Sequence, residues 1–255
     1  MKLDFSGKTV VVTGAAHGFG RAICLAFVQS GAAVWALDIA EAELNETQRL
    51  CSEAGGHCQA HTLDVTQPEA VALVLEQVCA ASGQVDILVN NAGGVLGQVG
   101  QPMESVSAAQ WNAIFAVNLS AAFYLSQAVV PGMKVRGSGR IINIASGAGL
   151  TISMTGIQAY AAAKAGVISL TRQLGHELGA WGITVNCIAP GFVRSNPNTE
   201  RQWQAMGSVG QKALLDAIAL KKLGSSDNIA FGVLFFAAEQ SGWISGQTLS
   251  IDGGK

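Results

Sequence analysis

The sequence predicts an α/β protein: one doubly wound parallel sheet of about seven strands with helices on both faces, in a single domain over residues 1–255. Three observations predict it. Short β-rich apolar runs alternate with longer segments of helical apolar spacing from Lys8 onward, the signature of strand–helix crossover units. Hydrophobic residues make up 49% of the chain and charged residues 13%, as a sheet buried on both faces requires. No linker, low-complexity tract or internal repeat interrupts the pattern.

Thr9–Thr13 is the first expected strand. It runs through Thr13-Gly14-Ala15-Ala16-His17-Gly18-Phe19-Gly20 into a helix opening near Arg21, with helical spacing at Ala22, Ile23, Ala26 and Phe27. Glycine at such a turn removes the Cβ that would keep backbone from a pyrophosphate, and the helix N-terminus supplies unpaired N–H groups and the positive dipole end. Among 31 glycines a triplet alone says little; its place between strand and helix makes Gly14, His17, Gly18, Phe19 and Gly20 a candidate phosphate cradle.

The second strand, Ala33–Asp38, ends 18 residues after Gly20, near the offset of about 20 at which a carboxylate grips the ribose hydroxyls. A carboxylate there repels a 2′-phosphate. No arginine follows Asp38, and His17 stands where a phosphate-binding arginine could have been, so NAD is the expected cofactor. The competing reading makes Asp38 an ordinary solvated strand end.

Gln59–Asp64 is the third strand, with His57 and His61 on one side of it; no ligand set accompanies them, so no metal is expected. A helix follows at Val71, Val74, Leu75 and Val78, then a fourth strand, Asp86–Asn90, and a long apolar helix, Ala108–Val130, enclosing Asn118. A buried asparagine in such a helix needs a partner. The fifth strand, Arg140–Ala145, delivers Ser146 to the C-terminal rim of the sheet, where ligands of open α/β folds bind.

Tyr160-Ala161-Ala162-Ala163-Lys164 lies in an alanine-rich, helical stretch, which places the two side chains on one face about 6 Å apart along the axis. The ammonium is expected to lower the phenol from its usual pKa of about 10, equipping it for proton transfer. Taken singly, the pair also reads as a solvated helix face and Ser146 as a turn residue. Ile183–Ile188 and Thr248–Ile251 complete the strands, and the weakly periodic stretch from Gly191 is expected to be a mobile loop with short helical turns, a lid around 191–215.

A formal net charge of −2 with scattered Lys and Arg excludes a nucleic-acid face and leaves a small molecule as the partner. Ile229–Ala238 falls short of the roughly 20 apolar residues of a membrane span, and Met1–Lys8 holds no apolar stretch of signal-peptide length. Five cysteines without a Cys-x-x-Cys pair point to buried, reduced thiols and the cytoplasm. A serine hydrolase is excluded by the absence of a nucleophile elbow with its histidine and acid.

With Thr13–Gly20, Asp64-Val65, Asn90-Asn91-Ala92-Gly93, Asn118, Ser146, Tyr160-x-x-x-Lys164 and Pro190-Gly191 in this order, nearly the whole chain resembles the short-chain dehydrogenases/reductases. The resemblance implies a Rossmann-type fold and NAD-linked hydride transfer between a secondary alcohol and its ketone. It further implies a catalytic tetrad of Asn118, Ser146, Tyr160 and Lys164, with Asn118 holding a relay water. Asp64 and Val65 would flank the adenine, Asn91, Ala92 and Gly93 the ribose, and Pro190, Gly191 and Val193 the nicotinamide. The helices around Asn118 and Tyr160 would pack across subunits of a homotetramer.

The chain looks most like sugar-pathway members of the family, among them dehydrogenases of 2-keto-3-deoxy sugar acids such as 2-keto-3-deoxyfuconate. Gln98, Ser153, Gln158, Asn196, Arg194 and Arg201 are the polar groups expected to meet such a substrate. The alternatives are an NADPH-linked 3-oxoacyl or other carbonyl reductase, an idle NAD-binding sensor and a sugar epimerase. Two departures stand out: Phe19 replaces a smaller aliphatic residue, and Ser146 and Tyr160 are 14 apart, one more than expected, so the loop between them should bulge beside the substrate.

Overall fold

The strands of the computed structural model, which describes residues 3–255, form one all-parallel seven-stranded sheet in the order β3-β2-β1-β4-β5-β6-β7. Met1 and Lys2, part of the leading segment considered above, lie outside the described residues. The strands are β1 (Thr9–Thr13), β2 (Ala33–Asp38), β3 (His57–Thr62), β4 (Ile87–Asn90), β5 (Gly139–Ile144), β6 (Ile183–Pro190) and β7 (Thr248–Ile251). The order reverses between β1 and β4, and the crevice above such a switch point is where open α/β sheets bind ligands.

Two apolar layers follow from the two-residue period of a strand. Val10 and Val12 face one core, shared with α1 (Gly18–Gln29), α2 (Glu41–Glu53) and α9 (Ser226–Ala237). Val11, between them, faces the other, filled by α3 (Pro68–Ser82), α5 (Ala121–Arg136) and α6 (Gln158–Leu178). Phe19, which the sequence left unexplained, packs its ring against the first of these cores.

Four expectations need correction. The third strand lies two residues earlier than expected: Thr62 is its last residue, paired with Asp38 at the end of β2, and the chain turns at Asp64–Gln67. The helix around Asn118 is not continuous: α4 (Ala108–Phe115) passes through one π-helical turn, Ala116–Ser120, before α5. Its full extent, Ala108–Arg136, is long and apolar enough to cross a membrane by length and composition, yet α5 packs on α3 and on strands β4 and β5. The lid segment holds two proper helices, α7 (Pro197–Ala205) and α8 (Gly207–Ala217). Asn196 and Thr199 cap α7 reciprocally, while only Leu214 is buried in the pair, which is why periodicity failed to announce them. All five cysteines are free, but Cys79 is exposed instead of buried.

Candidate active site

The turn after β1 is built for close approach. Gly14 and Gly18 adopt φ of +64° and +57°, and a Cβ on Gly20 would stand 2.0 Å from the Gly14 carbonyl oxygen. His17 offers α1 no side-chain acceptor, so the first N–H groups of the helix lack a side-chain cap. Above the turn lies Ser195, whose carbonyl oxygen would meet a Gly18 Cβ at 2.8 Å; nothing in the sequence reading singled it out. Asn91 donates from Nδ2 to the carbonyls of Thr13 (2.9 Å) and Gly14 (3.0 Å), while Thr13 Oγ1 accepts from the N–H groups of Asn91 and Ala92. Asn91 therefore bolts the turn to the end of β4.

The Asp38 carboxylate is fixed over this turn. One oxygen accepts from Ala16 N and the other from Ala40 N, each at 3.0 Å, which leaves lone pairs for a vicinal diol. Arg21, the cation that follows the glycines, turns the other way: its guanidinium bonds Thr47 Oγ1 (2.9 Å) and the carbonyls of Ala16 and Glu43. Asp64 is held below the usual carboxylate range by the Thr66 hydroxyl and N–H, and Val65 is buried in the core. Val193 is likewise buried, and Gly191 lies so close to Asp252 that a Cβ would meet it at 2.8 Å.

Two of the four residues expected to form the tetrad, Asn118 and Lys164, meet at Gly93. With φ of +155°, its missing Cβ would sit 2.6 Å from Asn118 Oδ1 and 3.1 Å from Lys164 Nζ. Asn118 donates from Nδ2 to Gly94 O (2.8 Å) and Ile114 O (2.9 Å) and accepts from Gly94 N (2.9 Å). The side chain is thus occupied as a clamp on the glycine loop.

Ser146 caps the short turn Gly147–Gly149, with Oγ accepting from Ala148 N at 3.1 Å, and its hydroxyl lies near enough to Tyr160 to pull the phenol's pKa down. Lys164 is only 4% exposed and donates to Ile144 O at 2.9 Å, so the solvated-face reading of the pair fails. The titration expected of that pair is corrected as well. Burial raises the Tyr160 phenol above its ordinary value, opposed only by the Ser146 hydroxyl, and burial pushes Lys164 down to about 8. The ammonium stands 5.9 Å from the Tyr160 ring centroid, and desolvation outweighs it.

The polar groups expected around the substrate are engaged locally. Gln98 bonds Gln110 O, Gln158 bonds Gln101 O, Ser153 bonds Thr155, and Asn196 caps α7. Arg194 pairs with Glu200 over the Trp203 ring, and Arg201 bonds Asn198. On the loop between Ser146 and Tyr160, Ile152 is 97% exposed. Among the described residues no cluster of three metal-ligating side chains occurs.

A glycine cradle that any Cβ would fill, a carboxylate poised for a diol and a buried Ser–Tyr–Lys set fit a nicotinamide dinucleotide. Together with the fold they define an oxidoreductase acting on CH–OH groups. A family model described as short chain dehydrogenase matches residues 8–205, and the chain belongs to that family. It is 37% identical over 252 residues to 3-oxoacyl-[acyl-carrier-protein] reductase FabG of Escherichia coli (strain K12), covering 99% of this chain and 98% of that one. Among solved structures it is similar to NAD+-bound xylitol dehydrogenase (TM-score 0.92, 30% identity, 98% and 99% of the two chains). It is also similar to 7α-hydroxysteroid dehydrogenase complexed with NADH and 7-oxo glycochenodeoxycholic acid (TM-score 0.91, 30% identity, 99% and 96%).

Proposed function

We propose that the protein is an NAD-dependent dehydrogenase of a secondary alcohol, with Ser146, Tyr160, Lys164 and Asn118 as its catalytic set. The observation that carries the cofactor choice is the Asp38 carboxylate, fixed by Ala16 N and Ala40 N and followed by Ile39, while Arg21 is committed to α2. A 2′-phosphate would meet that anion with no cation to offset it. Gly14, His17, Gly18, Phe19 and Gly20 would hold the pyrophosphate, Asp38 the adenosine ribose, Asp64 and Val65 the adenine side. Asn91, Ala92 and Gly93 support the ribose side, and Pro190, Gly191 and Val193 the nicotinamide side.

When bound, the cofactor supplies the hydride acceptor. The chain supplies orientation and proton handling. Ser146 and Tyr160 hold the substrate oxygen; Tyr160 takes the alcohol proton as phenolate during oxidation and returns it as phenol during reduction. Lys164, buried beside Ile144, holds the ribose and carries the proton onward. Asn118 keeps the Gly93–Gly94 loop from collapsing onto Lys164, and the segment 191–215 acts as the lid.

For substrate, a sugar, polyol or sugar acid such as a 2-keto-3-deoxy aldonate is one reading, supported by the likeness to a xylitol dehydrogenase. A second reading, a 3-oxoacyl or other carbonyl reductase, is favoured by two observations. The relatives include a 3-oxoacyl reductase, and the rim exposes Leu96, Val99, Leu150, Ile152 and Met154 while its polar groups are tied up. The likeness to a hydroxysteroid dehydrogenase points the same way. We place the enzyme in the cytoplasm, on its unpaired cysteines, and read it as a homotetramer.

The test is initial rates with NAD and NADP, and with the reduced forms, over a panel of polyols, sugar acids and 3-oxoacyl thioesters. Preference for NAD of at least about 100-fold in kcat/KM, equivalent to roughly 3 kcal/mol, is expected. A preference for the phosphorylated cofactor overturns the cofactor assignment, and the substrate with the highest kcat/KM decides between the two readings.

A further inference from the structure

The two elements that carry Ser146 and Tyr160 touch at three levels. At the rim, Ser146 follows the end of β5 and meets Tyr160 in the first turn of α6. One level down, Lys164 Nζ donates to Ile144 O at 2.9 Å. Deeper still, Asn143 Nδ2 donates to Thr171 Oγ1 at 2.9 Å, and both residues are 0% exposed. The Thr171 hydroxyl spends its hydrogen on Val167 O at 2.8 Å, so toward Asn143 it can only accept. Asn143 Oδ1 in turn accepts from Asn90 Nδ2 at 2.8 Å, which fixes the orientation of its amide.

The three contacts differ in what catalysis asks of them. Tyr160 and Lys164 exchange protons and take up ligand, so neither bond can serve as a constant anchor through a turnover. The Asn143–Thr171 bond touches no ligand and has one donor and one acceptor in a dry environment, where slippage of α6 along β5 would leave both unpaired. Thr171 lies seven residues after Lys164 and eleven after Tyr160, on the same rigid helix. A displacement at Thr171 is therefore carried to the phenol.

Resting on the catalytic reading above, we propose that Asn143 and Thr171 are positioning residues for hydride transfer: their bond sets the axial register of α6 on β5 and so the placement of Tyr160 and Lys164 against Ser146. The titratable groups packed around this segment are Tyr160 and Lys164 on α6 and Cys187 on β6, whose thiol lies beside Thr171 and feels the charge of Lys164. A shifted register changes the surroundings of all three, which gives the test a readout that a loss of stability alone would not move.

The experiment compares Thr171→Val, which keeps shape and removes the acceptor, with Thr171→Ser, which restores it; Thr171→Ala replaces the valine variant should that one precipitate. Active sites are counted by NADH fluorescence titration, so that kcat is expressed per competent site. Expected are NADH affinity within about twofold of wild type, kcat per site lower by about tenfold, and a displaced midpoint in the pH profile of kcat, with serine returning both toward wild type. A valine variant with wild-type kcat per site and a superimposable pH profile overturns the proposal, as does failure of serine to restore them. Tyr160→Phe runs as the control. An inert Tyr160→Phe beside a wild-type Thr171→Val sinks this proposal alone, whereas an active Tyr160→Phe sinks the catalytic reading and this proposal with it.

Discussion

Lys164 shows what a buried lysine, proposed as catalytic, costs its fold. Burial holds it near a pKa of about 8 against 10.5 for a free lysine, so the unfolded chain binds the proton more tightly than the folded one. The sign follows: below pH 8 this residue opposes folding of the cofactor-free protein by about 3 kcal/mol, and that penalty fades as pH rises from 8 toward 10.5. Lys164→Met keeps the length of the side chain and removes the charge. At pH 7 it should melt several degrees above wild type, net of the lost bond to Ile144 O of about 1 kcal/mol, while losing activity. The gap should narrow at pH 9.5; calorimetry at both values checks it, and an equal or lower melting temperature at pH 7 contradicts the account. Gly93 makes the complementary case, where the absent side chain matters. Gly93→Ala drives a methyl group onto Asn118 Oδ1 and Lys164 Nζ, whereas Gly94→Ala, also at positive φ, meets nothing within 4 Å. Steady-state kinetics should show a fall in kcat/KM of about 100-fold for the first and a much smaller one for the second. Equal losses would mean that backbone strain, and not the contact, decides.

At the level of elements, the π-helical turn Ala116–Ser120 gives Asn118 its geometry. Asn118 Nδ2 bonds Ile114 O, one turn back, and Gly94 O, joining the helix to the glycine loop. Asn118→Leu leaves Gly94 N and two carbonyls without these partners and should cost about 3 kcal/mol in urea unfolding, besides most of the activity. A loss below about 1 kcal/mol would show that the loop finds other partners. The sequence announced Asn118 as a polar residue in an apolar helix but could not announce the extra residue in the turn, because one inserted position barely alters the apolar spacing. Strand β1, buried on both faces, was legible to the residue because its β-branched run ends at Gly14, whereas β6 was legible at its start but runs two residues past the expected end, through Ala189 and Pro190. The edge strand β3, which reads His-Cys-Gln-Ala-His-Thr, lacks that contrast and was placed two residues late. The helices of segment 191–215 were legible only as short turns for the opposite reason, since they are held by an asparagine cap and ion pairs, with one buried leucine between them. Ser195 was missed because its carbonyl, not its side chain, approaches the cradle.

Away from the apolar rim of the site, the described residues leave two further apolar faces that the single chain does not bury. One is the groove of Leu119, Phe123, Tyr124, Gly166 and Leu170 between α5 and α6. The other carries Phe231 and Phe235 on α9 with Trp243 and Leu249, and Trp243 is 99% exposed. These faces lie on different elements, and each is of the kind that marks a protein contact. Two separate self-complementary faces on one chain close into a dihedral tetramer, whereas one alone yields a dimer. That arithmetic makes the proposed assembly testable without a structure of it. Light scattering on the purified protein should give four times the 26.2 kDa chain, about 105 kDa. Phe123→Glu should place a charge in the first face and reduce the particle to a dimer held by the second, Phe231→Glu should do the converse, and the double variant should run as a monomer. Either single variant remaining at full mass would show that its face is not in the assembly, and a wild-type monomer would leave both faces, and the small-residue helices Ala121–Arg136 and Gln158–Leu178 behind the first, in need of another explanation.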